Sequence, residues 1–350
     1  MTRNIFYLLI ATLVLLGSAM TYQTTAAKRP AHHTADGFRN PHLEPLKRSP
    51  FAYWRMRLFG NDDWADNERN VHKVPVAQKI ADLKQPAKSV HITWLGHASF
   101  LIQQDTLNIL TDPHLSDRAS PFSFAGPKRL APMPVTFSHL PKIDYVVISH
   151  NHYDHLDEAT IKQLGNDPVY LVPLKLKAWF TSIGIKPDRV LELDWWDKRQ
   201  FGPLTITATP SQHWSARGPF DRFETLWATW HINLGKTSVW FAGDTGYNPI
   251  QFKEIGSRFS SIDLALIPIG GYAPRWFMKR QHVNVPEAIQ IHKDIAAKNS
   301  IGMHWGTFQL TAEPIDEPKR LLDQAAKNGT LKPGKFTTMA IGETRILKTN

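Results

Sequence analysis

From about residue 88 the apolar and polar positions fall into short alternating runs, separated by longer amphipathic stretches. Val90–Leu95, Ser99–Gln103 and Leu107–Thr111 carry the alternation of half-buried strands. Asp144–Ser149 is nearly continuous in apolar residues and reads as a strand covered on both faces. Val169–Val172, Val190–Leu193, Leu204–Thr209 and Asp263–Ile269 are also strand-like, and Leu226–Leu234 and Thr237–Ala242 form a pair joined at Gly235-Lys236. Helical spacing appears in Glu158–Leu164 and in Val285–Lys298, where Pro286 marks the start and Ala288, Ile291, Ile295 and Ala296 share a face. A further helix, Glu317–Asn328, ends before Gly329. Strands interleaved with helices predict a layered α/β arrangement.

The N-terminal pattern is different. Ile5–Met20 is a mostly apolar run of sixteen residues behind Arg3, the pattern of a signal peptide or an uncleaved signal anchor. Residues 1–27 are therefore expected to be an address. Residues 28–60 are broken by prolines and place Phe51, Tyr53, Trp54, Met56, Leu58 and Phe59 among arginines, a composition suited to a membrane interface. Packing of these aromatics onto the domain is the plainer alternative. Of the formal net charge of +10, residues 1–60 supply +6, from eight basic and two acidic residues. Charge concentrated outside the folded body argues against a nucleic-acid groove and suits an anionic membrane surface or a solvated linker. These features predict a cell-envelope protein, exported to the periplasm or membrane-anchored, with residues 61–350 as the catalytic domain.

The chain has no cysteine and sixteen histidines, so a metal site here would use imidazole and carboxylate. The stretch His150-Asn151-His152-Tyr153-Asp154-His155 puts three histidines and an aspartate within six residues, directly after a buried strand. In extended or turn backbone, residues two apart point the same way, so His150 and His152 can grip one ion. Asp154 and His155 leave on another side and can grip a second. His213, Asp244 and His304 each lie just past the end of an apolar segment, where side chains from different strands converge on rigid supports. His97 and Asp112 share that placement. Strand-end placement nominates all these residues without dividing them between ions.

The blocks Thr93–Ala98, Thr111-Asp112-Pro113, Gly126–Arg129, Ser149–Asp157, Leu193–Trp196, Pro210–Trp214, Phe241–Tyr247, Pro274–Lys279, Gln281-His282-Val283 and His304–Phe308 together resemble the metallo-β-lactamase superfamily, in particular its N-acylphosphatidylethanolamine-hydrolysing phospholipase D branch. The resemblance runs from about residue 36 to the C-terminus; Ser120–Phe124 and Ser215–Gly218 depart from the pattern. It implies an αββα four-layer sandwich with two zinc ions between the sheets. His150, His152 and His213 would hold the first ion, Asp154, His155 and His304 the second, and Asp244 would bridge them.

The implied chemistry is hydrolysis of N-acyl phosphatidylethanolamine or a related phospholipid by attack of a shared hydroxide on phosphorus. Asp154 and Asp244 would act in catalysis. Tyr153 and His282 are candidates for holding the phosphate, and His97 and Asp112 for orienting ligands. The partners expected are a membrane phospholipid, an anionic membrane surface and a second copy of the chain in a homodimer, with no nucleic acid. The alternatives are a hydrolase of another ester, lactone, β-lactam or phosphodiester on the same scaffold, and a non-catalytic metal or lipid binder.

Overall fold

The computed structural model describes residues 29–44, 49, 51–60, 62–332 and 334–347. The chain divides into two units, the first ending at His33 and the second running from Thr34. In the first, residues 29–33 make a turn in which the His33 N–H donates to Pro30 O (3.0 Å).

The second unit is built on two seven-stranded sheets. The first contains β1 (Ala87–Gly96), β2 (Ser99–Asp105), β3 (Leu107–Thr111), β4 (Tyr145–Val147), β5 (Val169–Pro173), β6 (Val190–Leu193) and β14 (Thr344–Leu347), ordered β14-β1-β2-β3-β4-β5-β6. The second contains β7 (Lys198–Phe201), β8 (Leu204–Thr209), β9 (Thr229–Asn233), β10 (Ser238–Phe241), β11 (Ile262–Pro268), β12 (Ala297–Met303) and β13 (Phe336–Thr338), ordered β13-β12-β11-β10-β9-β8-β7. Each sheet is antiparallel in one half and parallel in the other.

The two-residue period of the strands sorts side chains between layers. Phe100, Ile102, Ile109, Val147 and Leu171 enter the core shared with the second sheet. Their neighbours Leu101, Leu110, Val146, Ile148, Tyr170 and Val172 face outward, where Ile161 and Phe180 cover them. Those two residues come from helices we number α3 (Glu158–Leu164) and α4 (Lys177–Ser182), after α1 (Ala52–Phe59) and α2 (Asn67–Asn70). On the second sheet, Phe252 and Ile255 of α5 (Pro249–Arg258), Ala288 and Ile291 of α7 (Val285–Asp294) and Leu322 of α8 (Glu317–Lys327) join the main core; α6 is the short Arg275–Met278. The result is the four-layer αββα sandwich.

One predicted helix is too long. Asn284 and Glu287 cap the start of α7 reciprocally, which the sequence advertises. The stop is hidden: Ala296 turns the chain with φ +52°, without the usual glycine, and β12 begins at Ala297. The edge strands β7, β13 and β14 leave too little pattern to predict them: each is three or four residues long, and β7 is mostly exposed and polar.

Helix α1 rests on the body through buried Met56 and through the Tyr53 hydroxyl, which donates to Leu310 O (2.7 Å). Phe51, Leu58 and Phe59 remain exposed. The envelope placement expected from the N-terminal run finds no support in the fold: among the described residues no helix is long and apolar enough to cross a membrane. The run Ile5–Met20 itself lies outside the described residues.

Four fully buried tryptophans tie the layers to the loops beyond the strand ends. Their indole N–H groups need acceptors once removed from water. Trp94 donates to His97 O (3.0 Å), Trp227 to Ser211 O (2.8 Å), Trp230 to Ile148 O (3.0 Å) and Trp240 to Thr209 Oγ1 (3.2 Å). The Trp230 bond crosses from β9 to the other sheet, two residues before His150. Replacing Trp230 with Phe keeps most of the volume but orphans that carbonyl, which is expected to cost about 1–3 kcal/mol. Denaturant unfolding should show a lower midpoint; an unchanged midpoint contradicts the assigned role.

Candidate metal centre

The C-terminal ends of strands from both sheets deliver the polar residues to one place. Gly96 ends β1 before His97, Thr111 ends β3 before Asp112, and Met303 ends β12 before His304. His150, Asp154 and His155 occupy the turn between β4 and α3, His213 follows β8, and Asp244 follows β10. His97, Asp112 and His304 have φ of 51°, 32° and 60°. Left-handed backbone at non-glycine residues is costly and persists where the surroundings enforce it. Here they do: the His97 N–H donates to Thr307 Oγ1 (2.7 Å), and the His304 N–H donates to His97 O (3.0 Å).

The side chains form two adjoining groups. In one, His152 Nδ1 lies 2.8 Å from His150 Nε2 and 3.3 Å from His213 Nε2. In the other, Asp154 Oδ2 lies 3.3 Å from both His155 Nε2 and His304 Nε2, and 2.9 Å from His97 Nε2. Asp244 stands between them. Its Oδ2 is 3.2 Å from His155 Nε2, 3.8 Å from His213 Nε2 and 4.0 Å from His150 Nε2, while its Oδ1 is 3.1 Å from His304 Nε2. Donor atoms around a tetrahedral ion with bonds of about 2.0–2.1 Å stand about 3.3 Å apart. The His155 Nε2 and Asp244 Oδ1 atoms are buried without a hydrogen-bond partner, as inward-facing ligand atoms would be. On donor chemistry and spacing, the residues fit divalent metal.

Groups behind the rings set their orientation. Asp112 accepts from Ser149 N (2.6 Å) and Ser149 Oγ (2.5 Å), and its Oδ2 lies 2.6 Å from His155 Nδ1. Ser149 Oγ also lies 2.9 Å from His150 Nδ1, and His213 Nδ1 donates to Gln281 O (3.0 Å). Each contact leaves Nε2 facing the centre.

Protonation follows the same geometry. Burial drives the imidazoles of His97, His152, His213 and His282 down to about 3, and that of His150 well below the ordinary histidine range. Burial acts likewise on His155 and His304 but is overcome by the Asp244 carboxylate, aided by Asp154. His304 rises to about 9, and His155 well above its ordinary value. Burial alone would raise Asp154 and Asp244; the surrounding imidazoles override it and hold both well below the carboxylate range. In Asp112 burial wins and its pKa is raised, in spite of its bonds to His155 and Ser149.

All seven residues singled out as ligands meet here, with His97 and Asp112 directly behind them. His282 joins them, its Nδ1 3.8 Å from Asp244 Oδ2. Tyr153 does not point inward; its hydroxyl donates to Arg217 O (2.9 Å). Arg217 enters the sequence reading only within the departing stretch Ser215–Gly218, with no role, yet its Nη1 donates to Asn151 O (3.0 Å) and Leu156 O (2.8 Å), pinning the histidine-rich turn. Only its place four residues after His213 hinted at this. The backbone acceptor of Gln281 had no sequence signal.

Comparison with known proteins agrees with this geometry. Residues 107–305 match the family model of the beta-lactamase superfamily domain. The chain is 41% identical over 285 residues to N-acyl-phosphatidylethanolamine-hydrolyzing phospholipase D 1 of Caenorhabditis elegans, covering 77% of this chain and 79% of that one. It is 40% identical over 251 residues to the mitochondrial protein of the same activity name from Saccharomyces cerevisiae, covering 69% of this chain and 53% of that one. A solved metallo hydrolase from the archaeon Ignicoccus hospitalis shares the fold at a TM-score of 0.56 and 22% identity, over 75% of this chain and all of that one.

The yeast relative's mitochondrial name also overturns the periplasmic or envelope address expected above. Fold, donor set and relatives converge: the chain is a metal-dependent hydrolase of the metallo-β-lactamase superfamily and belongs to its N-acylphosphatidylethanolamine-hydrolysing phospholipase D branch.

Proposed function

We propose that the protein is a dinuclear zinc phosphodiesterase that hydrolyses N-acyl phosphatidylethanolamine, or a closely related phospholipid, to phosphatidic acid and the N-acylated amino alcohol. The observation that carries the reading is the position of Asp244, whose carboxylate lies within 4.0 Å of donors from both histidine groups. In this reading His150, His152 and His213 hold one ion, Asp154, His155 and His304 hold the other, and Asp244 is shared. Two zinc ions bound there would supply a water of lowered pKa and neutralise charge on the phosphodiester.

The chain's own groups do the rest. Asp154 Oδ2, backed by His97 Nε2 at 2.9 Å, is the acceptor for the proton released by the attacking water. His282 Nδ1 is buried without a partner and aimed at Asp244, so it can donate to a phosphate oxygen. Tyr153, with its hydroxyl engaged by Arg217 O, shapes the wall of the site. The exposed Phe51, Leu58, Phe59 and Trp276 give the substrate's apolar chains a surface to approach.

Incubating the purified protein with N-acyl phosphatidylethanolamine should release phosphatidic acid, and a chelator should stop it. Cleavage of a soluble ester, lactone or lactam without phospholipid turnover contradicts the proposal. His152→Ala and Asp244→Ala should each abolish turnover and lower bound metal; full activity in either removes the ligand assignment.

Metal uptake should depend on pH in a defined direction. With their pKa values raised, the latter to about 9, His155 and His304 carry protons in the metal-free protein that an ion must displace. Affinity should therefore rise with pH up to that value, with proton release on binding. Calorimetric titration of chelator-stripped protein at about pH 6 and about pH 8, in buffers of different ionisation enthalpy, measures both. An affinity independent of pH contradicts the protonation states assigned here.

A further inference from the structure

The imidazoles of the centre are held in two ways. His150, His155 and His213 each have a hydrogen-bond partner at the ring nitrogen that faces away, from Ser149, Asp112 and Gln281 respectively. His304 has none at its outward Nδ1, as His152 has none at its outward Nε2, and the Nδ1 of His282, which faces Asp244, is also without one. The rings of His304 and His282 are positioned by packing, and the packing surface is the backbone at Gly270-Gly271. A Cβ on Gly271 would stand 3.0 Å from His282 Nδ1 and 3.1 Å from His304 Cε1, and one on Gly270 would stand 2.4 Å from His304 O. Gly271 also has φ +81°, which a side chain would strain.

That backbone is itself held by one buried carboxylate. Glu313 Oε1 accepts from Gly271 N (2.5 Å) and Tyr272 N (3.3 Å), and its Oε2 accepts from Ala273 N (3.0 Å). Glu313 is 8% exposed, so these donors matter to it as much as it matters to them. Asn67 fixes its backbone: Asn67 Nδ2 donates to Glu313 O (3.0 Å) and Asn67 Oδ1 accepts from Ile315 N (2.8 Å).

We propose that Glu313 is a positioning residue: by gathering the amides of Gly271, Tyr272 and Ala273 it presses the Gly270-Gly271 backbone against His304 and His282 and so sets their reach toward Asp244. The proposal deepens the reading of this cluster as a hydrolytic metal centre and rests on it. Asn67 extends the device to a segment preceding the matched family domain, which begins at residue 107.

The test is a cycle of variants on the metal-loaded protein: Glu313→Ala, Gly271→Ala and the pair. Zinc retention against a competing chelator is one readout and phospholipid turnover the other. Removing a group that orients a metal ligand typically weakens binding about 10–100-fold, and that is the expected effect of Glu313→Ala. Because both residues act through one stretch of backbone, the double variant should lose little more than Gly271→Ala alone. Glu313→Gln, which keeps one acceptor, should fold with a near-normal melting temperature and show an intermediate loss; it stands in if Glu313→Ala does not fold. Zinc retention within about twofold of wild type in both Glu313 variants, or losses that simply add in the double variant, overturns the proposal. Normal zinc losses in a wild-type background that turns over no phospholipid would end the substrate reading and leave the positioning role standing.

Discussion

The interaction on which the rest of this structure depends is the carboxylate of Asp244 buried between two sets of imidazoles. Seven histidines and two aspartates packed within 4.0 Å of their neighbours, almost out of water, would be strongly unfavourable as a random collection of charges. Alternating the signs resolves it. Asp154 and Asp244 stay ionised because imidazoles surround them, and His155 and His304 stay basic because those carboxylates face them. The remaining rings are neutral. Neutral imidazole and ionised carboxylate are the forms that bind a divalent ion.

Holding such a cluster requires rigid supports from several directions, and the αββα sandwich supplies them. The ligands hang from the ends of β4, β8, β10 and β12, strands that belong to both sheets. Buried tryptophans stitch the loops carrying them to the core, so that core packing and site geometry are one problem. Asp112, Ser149, the Gln281 carbonyl and Arg217 then orient individual rings and the turn that bears them. Glu313 extends this outer layer to His304 and His282, which pack against the Gly270-Gly271 backbone.

Most of the site was legible in the sequence because its residues are marked by type and position at once. A histidine or aspartate immediately after an apolar strand is conspicuous, and His150–His155 is dense enough to exclude coincidence. Strand periodicity likewise located β2, β3 and β8, but it predicted half-buried strands where β2 and β3 are buried on both faces. What stayed hidden has a common physical cause. The stop of α7 at Ala296 uses an alanine in a glycine's conformation, so the predicted helix runs on through Lys298 and takes in the first two residues of β12, the strand that carries His304. Arg217, Gln281 and Glu313 act through backbone amides and carbonyls brought together by tertiary contact, which leaves no pattern in the residues themselves. The cellular address failed for another reason: it rested on the run Ile5–Met20, which lies outside the described residues.

The most direct test of the central claim is anomalous diffraction at the zinc edge from crystals grown with zinc. The account predicts two peaks about 3.5–4 Å apart, one among His150, His152 and His213, the other among Asp154, His155 and His304, with Asp244 between them. A single peak, or two peaks that do not share Asp244, would contradict it.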